Sequence, residues 1–433
     1  MFSLVKKQLN ETWTILNGFQ GNATPCILTE PMFGIPYNLY IPYASLYMVA
    51  LGCSDTQVGL VTSVGLIFQM FFSLFGGYIT DKLGRKKTTI IFDLIAWSIP
   101  ALIWAFAQNF YYFLIAAMIN SIVRIVHTSW SCLLIEDTRP EQRVHIYSWI
   151  KVAGILAGFF APLAGIIVKH YSIIPAMRGL YLFAFVSMTS MFLIRNYFTQ
   201  ETKMGKKKME ETKNFRFREN IDRYREVTLQ LIRSPYTIIA FFLAVLNNIQ
   251  LTIRKTFLSI LLNKGLGISQ GLIAVFPAIT SVIMLLFFIF VMPKLGKNNS
   301  KKPLFWGLII SLVSQLFLIL SPTGNIVVVL TMVVLSTITG AVGMAIVYPF
   351  VQSILANAID DENRAKIMSI LFAILLAITA PFGYIGGYLS SISEKLPFIL
   401  NGITFIISAV LVIFLIKMEE KREVEKVNDN ISL

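Results

Sequence analysis

Charge is scarce in this chain. Only 14% of its 433 residues are Asp, Glu, Lys or Arg, against roughly a quarter in soluble proteins, while 56% are apolar and the mean hydropathy is +0.70. Water is therefore not the main solvent, which excludes a soluble enzyme. Cysteine and histidine are also rare, three of each. Cys26, Cys53 and Cys132 form no CxxC pair and are odd in number, which argues against structural disulfides or zinc. The histidines form no metal-spaced cluster, and there is no Ser/His/Asp grouping or phosphate-binding glycine loop, so neither catalysis nor a cofactor nor a metal is expected. Lys6, Lys7 and Asn10 stand where a cleavable leader would have its apolar core.

What the chain has in abundance is apolar runs long enough to cross about 30 Å of hydrocarbon as helix. They occupy 24–50, 57–79, 89–107, 110–134, 146–168 and 176–198, then 235–262, 269–292, 303–321, 324–349, 366–390 and 397–416. The fold class expected is all-α and polytopic, with twelve transmembrane helices in two pseudo-symmetric six-helix bundles, 24–198 and 235–416. Residues 1–23 form an N-terminal segment whose Phe2, Val5, Leu9, Trp13 and Leu16 suit either an interfacial helix or a frayed end. Residues 199–234 are a linker with ten basic and six acidic residues, which belongs in water, and 417–433 are a tail.

The net charge of +14 would suggest nucleic acid in a soluble protein, but here the lysines and arginines sit between apolar runs and read as topology signals. With both termini inside, twelve basic residues fall in inner short loops and three (Lys169, Lys264 and Lys395) in outer ones. That predicts a multi-pass protein of the cell's inner membrane, with cytoplasmic termini and linker and no nucleic-acid partner.

The two halves repeat. Gly52-Cys-Ser54 recurs as Gly267-Ile-Ser269, Lys82-Leu-Gly84-Arg85 as Lys294-Leu-Gly296-Lys297, Glu141-Gln-Arg143 as Glu362-Asn-Arg364, and Ala161-Pro162 as Ala380-Pro381. Duplication in one orientation implies two bundles related by an axis along the membrane normal, with an interface that opens to either side. The Ala-Pro match suggests symmetric packing.

The loop Gly77-Tyr-Ile-Thr-Asp81-Lys82-Leu-Gly84-Arg85-Lys86-Lys87 resembles the signature of the major facilitator superfamily at every defined position. The resemblance implies a secondary transporter working by alternating access as a single chain, not an enzyme. It also implies that this loop latches the cytoplasmic gate, with Gly77, Asp81, Lys82, Gly84, Arg85 and Lys86, and with Arg143 and Arg364 nearby. In physical terms Gly77 would let helices approach, Gly84 would turn tightly, and Asp81 would pair with Arg85 or face a helix N-terminus across the halves.

An ionisable residue in mid-span costs roughly 2.5–3.5 kcal/mol and needs a reason. In the fourth span Asn120, Arg124, His127 and Ser131 form a stripe expected to face a central cavity. Arg124 also resembles a family arginine tied to proton coupling, without the glycines that usually accompany it. The seventh span offers Asn247, Gln250 and Arg254, with Lys255 beside them. In the first span Glu30, Tyr37, Asn38 and Tyr40 sit among Pro31, Pro36 and Pro42, which would bend the helix and free backbone groups for a ligand. Glu30 exchanges protons, pairs with Arg124 or is structural, and the tyrosines either stack on a sugar or pack. Asp93, Lys151 and Arg178 read as snorkelling or loop-paired. The excess of intramembrane cations favours a small organic anion, carried with a coupling proton or cation. A sugar symporter and an efflux antiporter for lipophilic compounds are the alternatives.

Overall fold

The structure, a computed structural model, describes residues 18, 19, 21–213, 235–295, 301–357 and 364–431. Most of the N-terminal segment and the linker's second part, 214–234, lie outside these, as do the side chains of 364–369 and 419–431.

Eleven helices among the described residues are long and apolar enough to span a membrane. They are α2 (Asp55–Leu83), α3 (Arg85–Ala105), α4 (Phe110–Ile135), α5 (Glu141–Tyr171), α6 (Ile173–Phe198), α7 (Pro235–Gly265), α8 (Gln270–Phe290), α9 (Lys302–Ile319), α10 (Ile326–Leu355), α11 (Ile370–Ile392) and α12 (Leu396–Met418). The first apolar run, α1, makes twelve. It comprises Ala23–Tyr40, a 3-10 turn Ile41–Tyr43 and Ala44–Ala50. The fold is all-α, two pseudo-symmetric bundles of six.

Local chemistry explains the boundaries. Gly52 and Gly267, the repeat's matched glycines, both take positive φ, 89° and 69°, just before α2 and α8. Ser54 then caps α2 reciprocally with Gln57, an arrangement worth about 1 kcal/mol. Gly84 ends α2 at φ 86°. Several spans are interrupted where the pattern gave no warning, three of them in the first bundle. α3 contains a π segment at Leu94–Ser98, α4 tightens into 3-10 bonds at Ser121–Ile122, and α5 turns at Phe159–Phe160 ahead of Ala161-Pro162.

The prolines of α1 do less than expected. The helix runs through Pro31 and Pro36 and gives way only at Pro42. Pro36 has no N–H for the Met32 carbonyl, but Ser187 of α6 donates to that carbonyl at 2.7 Å. That freed carbonyl therefore serves bundle packing.

The bundles meet mainly along α2 against α11 and α5 against α8. Small residues bring backbones together: a Cβ on Gly387 would lie 2.6 Å from the Asp55 carbonyl, and Gly165 abuts Gly271. Ser63 donates to the Ala380 carbonyl at 2.5 Å and accepts from the Tyr384 N–H at 2.7 Å. At the membrane face remote from the signature loop, Asp55 binds Lys264 at 2.7 Å and Ser390 at 2.7 Å. Tyr43 reaches the Gln270 carbonyl at 2.7 Å on the same side. That face is closed.

Candidate functional site

A cavity of about 470 Å³ lies between the bundles. Its polar lining is Asn38 of α1, Arg254, Lys255 and Ser259 of α7, Thr280 and Ser281 of α8, and Thr337 of α10. Arg254 also borders a smaller recess of about 30 Å³ inside the second bundle, among Asn247, Gln250, Ser311, Gln315, Asn401 and Tyr348. One guanidinium thus joins the two spaces. Gly340 of α10 makes room for it, since a Cβ there would sit 3.1 Å from Nη2. No carboxylate among the described residues pairs with Arg254.

The α7 residues singled out in sequence therefore converge. Asn247 is buried, and its Oδ1 has no hydrogen-bond partner. Gln250 donates to Ser408 of α12 at 3.2 Å. Lys255 reaches across the bundle interface to the Tyr37 hydroxyl at 2.8 Å.

The α4 stripe does not converge, because it presumed an unbroken helix. Across the interruption at Ser121–Ile122, Asn120 turns to α3 and donates to the Ala96 carbonyl at 2.7 Å. Arg124 donates from Nε to Gln69 of α2 at 2.9 Å. His127 is exposed.

Three further expectations change. Tyr40 is buried in the first bundle's core, its ring 4.6 Å from that of Tyr181, so it is not a sugar platform. Glu30 is half-buried and forms no ion pair with Arg124 among the described residues. Asp93 does not snorkel; it forms a buried ion pair with Arg195 of α6. Arg178 does bind a loop, donating to the Ala107 carbonyl at 3.3 Å. Lys151 points across the interface, 5.9 Å from the Tyr348 ring centroid.

Around the signature loop, Arg85 is buried and holds Asp81 at 2.9 Å and Glu136 at 2.9 Å. Glu201 accepts from the backbone N–H groups of Arg85 and Lys86, both at 3.0 Å, and so caps α3 at its positive end. Thr202 donates to Glu136 at 2.5 Å and caps the linker helix Lys203–Glu211. The loop is thus tied to the linker. Gly77 is not the close-packing glycine: a Cβ there meets nothing, whereas one on Gly76 would lie 2.9 Å from Thr128 Oγ. Lys82 lies over Tyr78 at the surface, and the Arg143 Nε is buried without a partner. The Arg364 side chain lies outside the described residues.

Sequence reasoning missed Gln69, Asp55, Glu136, Arg195, Glu201, Gln315 and Asn401. Their partners sit far away in sequence, as with Arg195 and Asp93, and no local period marks them.

Known proteins agree with this architecture. The family model of the Major Facilitator Superfamily matches residues 31–345 and 256–430. The uncharacterized MFS-type transporter YqjV of Bacillus subtilis (strain 168) is 27% identical over 143 residues, 32% of this chain, and the chain spans only 35% of that protein. The multidrug resistance protein MdtG of Salmonella schwarzengrund (strain CVM19633) is 23% identical over 386 residues, 84% of each chain. Among solved structures, a POT family transporter in complex with 5-aminolevulinic acid superposes with a TM-score of 0.70 at 14% identity, covering 92% of this chain and 96% of that one. A mutant of the nucleoside transporter NupG gives 0.68 at 14% identity, over 91% and 99%. With a family model matching most of its length and twelve spans in two bundles, the chain belongs to the Major Facilitator Superfamily and is a secondary transporter of that type.

Proposed function

We propose that this transporter carries a small organic anion by alternating access, bound in the inter-bundle cavity by Arg254 and Lys255. The observation that carries the reading is Arg254, a cation inside the span with no acidic partner among the described residues, at the junction of both spaces. An unpaired charge there is costly, and an anionic substrate would offset the cost. A cavity of about 470 Å³ also suits a small solute.

The excess of basic residues in the signature-loop face supports placing that face, both termini and the linker in the cytoplasm of the inner membrane. On that orientation the closed face is the outer one, and the signature loop belongs to the cytoplasmic gate. Coupling would use a proton or another cation, with Glu30 as the candidate proton carrier in the first bundle. One chain supplies both bundles, so a monomer suffices.

The likeness to MdtG, over 84% of both chains, supports a second reading, efflux of lipophilic compounds. Two cations in the cavity disfavour lipophilic cations as cargo. The test is thermal stability of the detergent-purified protein against organic and phosphorylated anions, sugars, amino acids and lipophilic cations, because a ligand specific to the folded state raises Tm. Stabilisation by anions that disappears in Arg254→Gln is expected. Stabilisation by lipophilic cations alone would replace the anion reading with the efflux one.

A further inference from the structure

The recess beside Arg254 has a chemistry of its own. Four amide side chains, Asn247, Gln250, Gln315 and Asn401, and the Ser311 hydroxyl line a space of about 30 Å³, room for one water-sized group. Some of this polarity is internally satisfied. Asn401 donates to Gln315 at 3.4 Å, Gln250 to Ser408 at 3.2 Å, and Ser311 to the Gly307 carbonyl at 2.9 Å. Asn247 is not: only 8% of its surface is exposed, and its Oδ1 accepts from nothing. A buried, unfilled acceptor is unfavourable, so this position is suited to a donor brought in from outside.

Resting on the anion reading above, we infer that the substrate is a hydroxylated monocarboxylate, its carboxylate held by Arg254 and a hydroxyl inserted among the four amides. A hydroxyl both donates and accepts, as amides do, and one such group fits the recess. An ammonium donor would be repelled by the guanidinium on the recess wall, which disfavours amino acids. Arg254 is the cation at the recess and places one carboxylate there, while Lys255, whose bond to the neutral Tyr37 hydroxyl leaves its charge intact, flanks it in the larger cavity. The rest of the solute would lie in the larger cavity toward Asn38, Ser281 and Thr337. Sites built to hydrogen-bond a hydroxyl reject analogues that lack it, because their own polar groups are then left unpaired.

The experiment compares four six-carbon probes on the full purified chain by titration calorimetry: gluconate, hexanoate, 6-aminohexanoate and sorbitol. Gluconate should bind at least about tenfold more tightly than hexanoate, and 6-aminohexanoate no more tightly than hexanoate. Asn247→Leu should bring gluconate affinity down to that of hexanoate measured on the same variant. Gln315→Met should reduce it in the same direction, and serves if the first variant does not fold. Equal affinity for gluconate and hexanoate would mean that the recess holds water only; that overturns this inference and leaves the anion reading standing. Sorbitol binding as tightly as gluconate, and unchanged in Arg254→Gln, would overturn the anion reading itself. Failure of all four probes to bind would overturn the hydroxylated-carboxylate assignment.

Discussion

The same place in the two bundles is built from opposite materials. In the second bundle the space between α7, α9, α10 and α12 is an amide-lined recess with a guanidinium at its rim. In the first bundle the matching space, between α1, α3 and α6, is filled by rings: Phe33 lies 4.8 Å from Trp97 and 5.8 Å from Tyr37, with Phe192 beyond at 6.5 Å. The charges differ likewise. Arg195 and Asp93 neutralise each other in the first bundle's interior; Arg124, held by the neutral Gln69, and Arg254 both lack an acidic partner among the described residues, but of the two it is Arg254 that borders both spaces. Gene duplication supplies symmetric helices, but a binding site needs only one of the two interiors to stay polar and open. The other is free to become core.

The largest effect that could break this comparison is Asp93→Asn. If the first bundle's charges are structural, the variant strands a buried guanidinium and costs about 3–5 kcal/mol, read as a lower Tm of the purified protein. Arg254→Gln, which removes an unpaired charge, should not lower Tm and should raise it if it changes it at all. A stable Asp93→Asn with lost transport would instead make that pair part of the coupling machinery.

Next in size is Gly340→Ala. The added methyl would lie 2.8 Å from Ser314 Oγ and 3.1 Å from Arg254 Nη2, so the guanidinium must shift. Anion affinity should fall about tenfold, equivalent to about 1.4 kcal/mol. Gly77→Ala, which meets nothing, should change neither affinity nor Tm.

Smaller still is Glu201→Gln. It keeps the shape of the α3 cap but loses the charge facing the helix's positive end, about 0.3–1 kcal/mol. A modest drop in Tm with unchanged anion affinity is expected. A change in affinity would tie the linker to the binding site.

Much of this was legible because membrane spans are written in long apolar runs, and every predicted run contains a helix. The repeat was legible too, since Gly52 and Gly267 share both their spacing and their positive φ. On α7 the polar side chains sit on an uninterrupted helix down to Ile260, so the spacing of Asn247, Gln250 and Arg254 carried through to three dimensions. On α4 it failed for a local reason: two tightened residues, Ser121 and Ile122, reset the helical phase between Asn120 and Arg124. Glycine signals were legible to within one position, with Gly76 rather than Gly77 against α4. The recess was half visible. Gln315 and Asn401 lie singly in apolar helices, and only folding brings them opposite Asn247.

If the second bundle binds the anion while the first is core, anion affinity measured by titration in Arg254→Gln and Arg124→Gln side by side will separate the two bundles. Arg254→Gln should lose binding, at least about a hundredfold or about 2.7 kcal/mol, while Arg124→Gln should retain affinity within a few-fold. Comparable losses in both variants, or loss in Arg124→Gln alone, would contradict that division and return the site to α4.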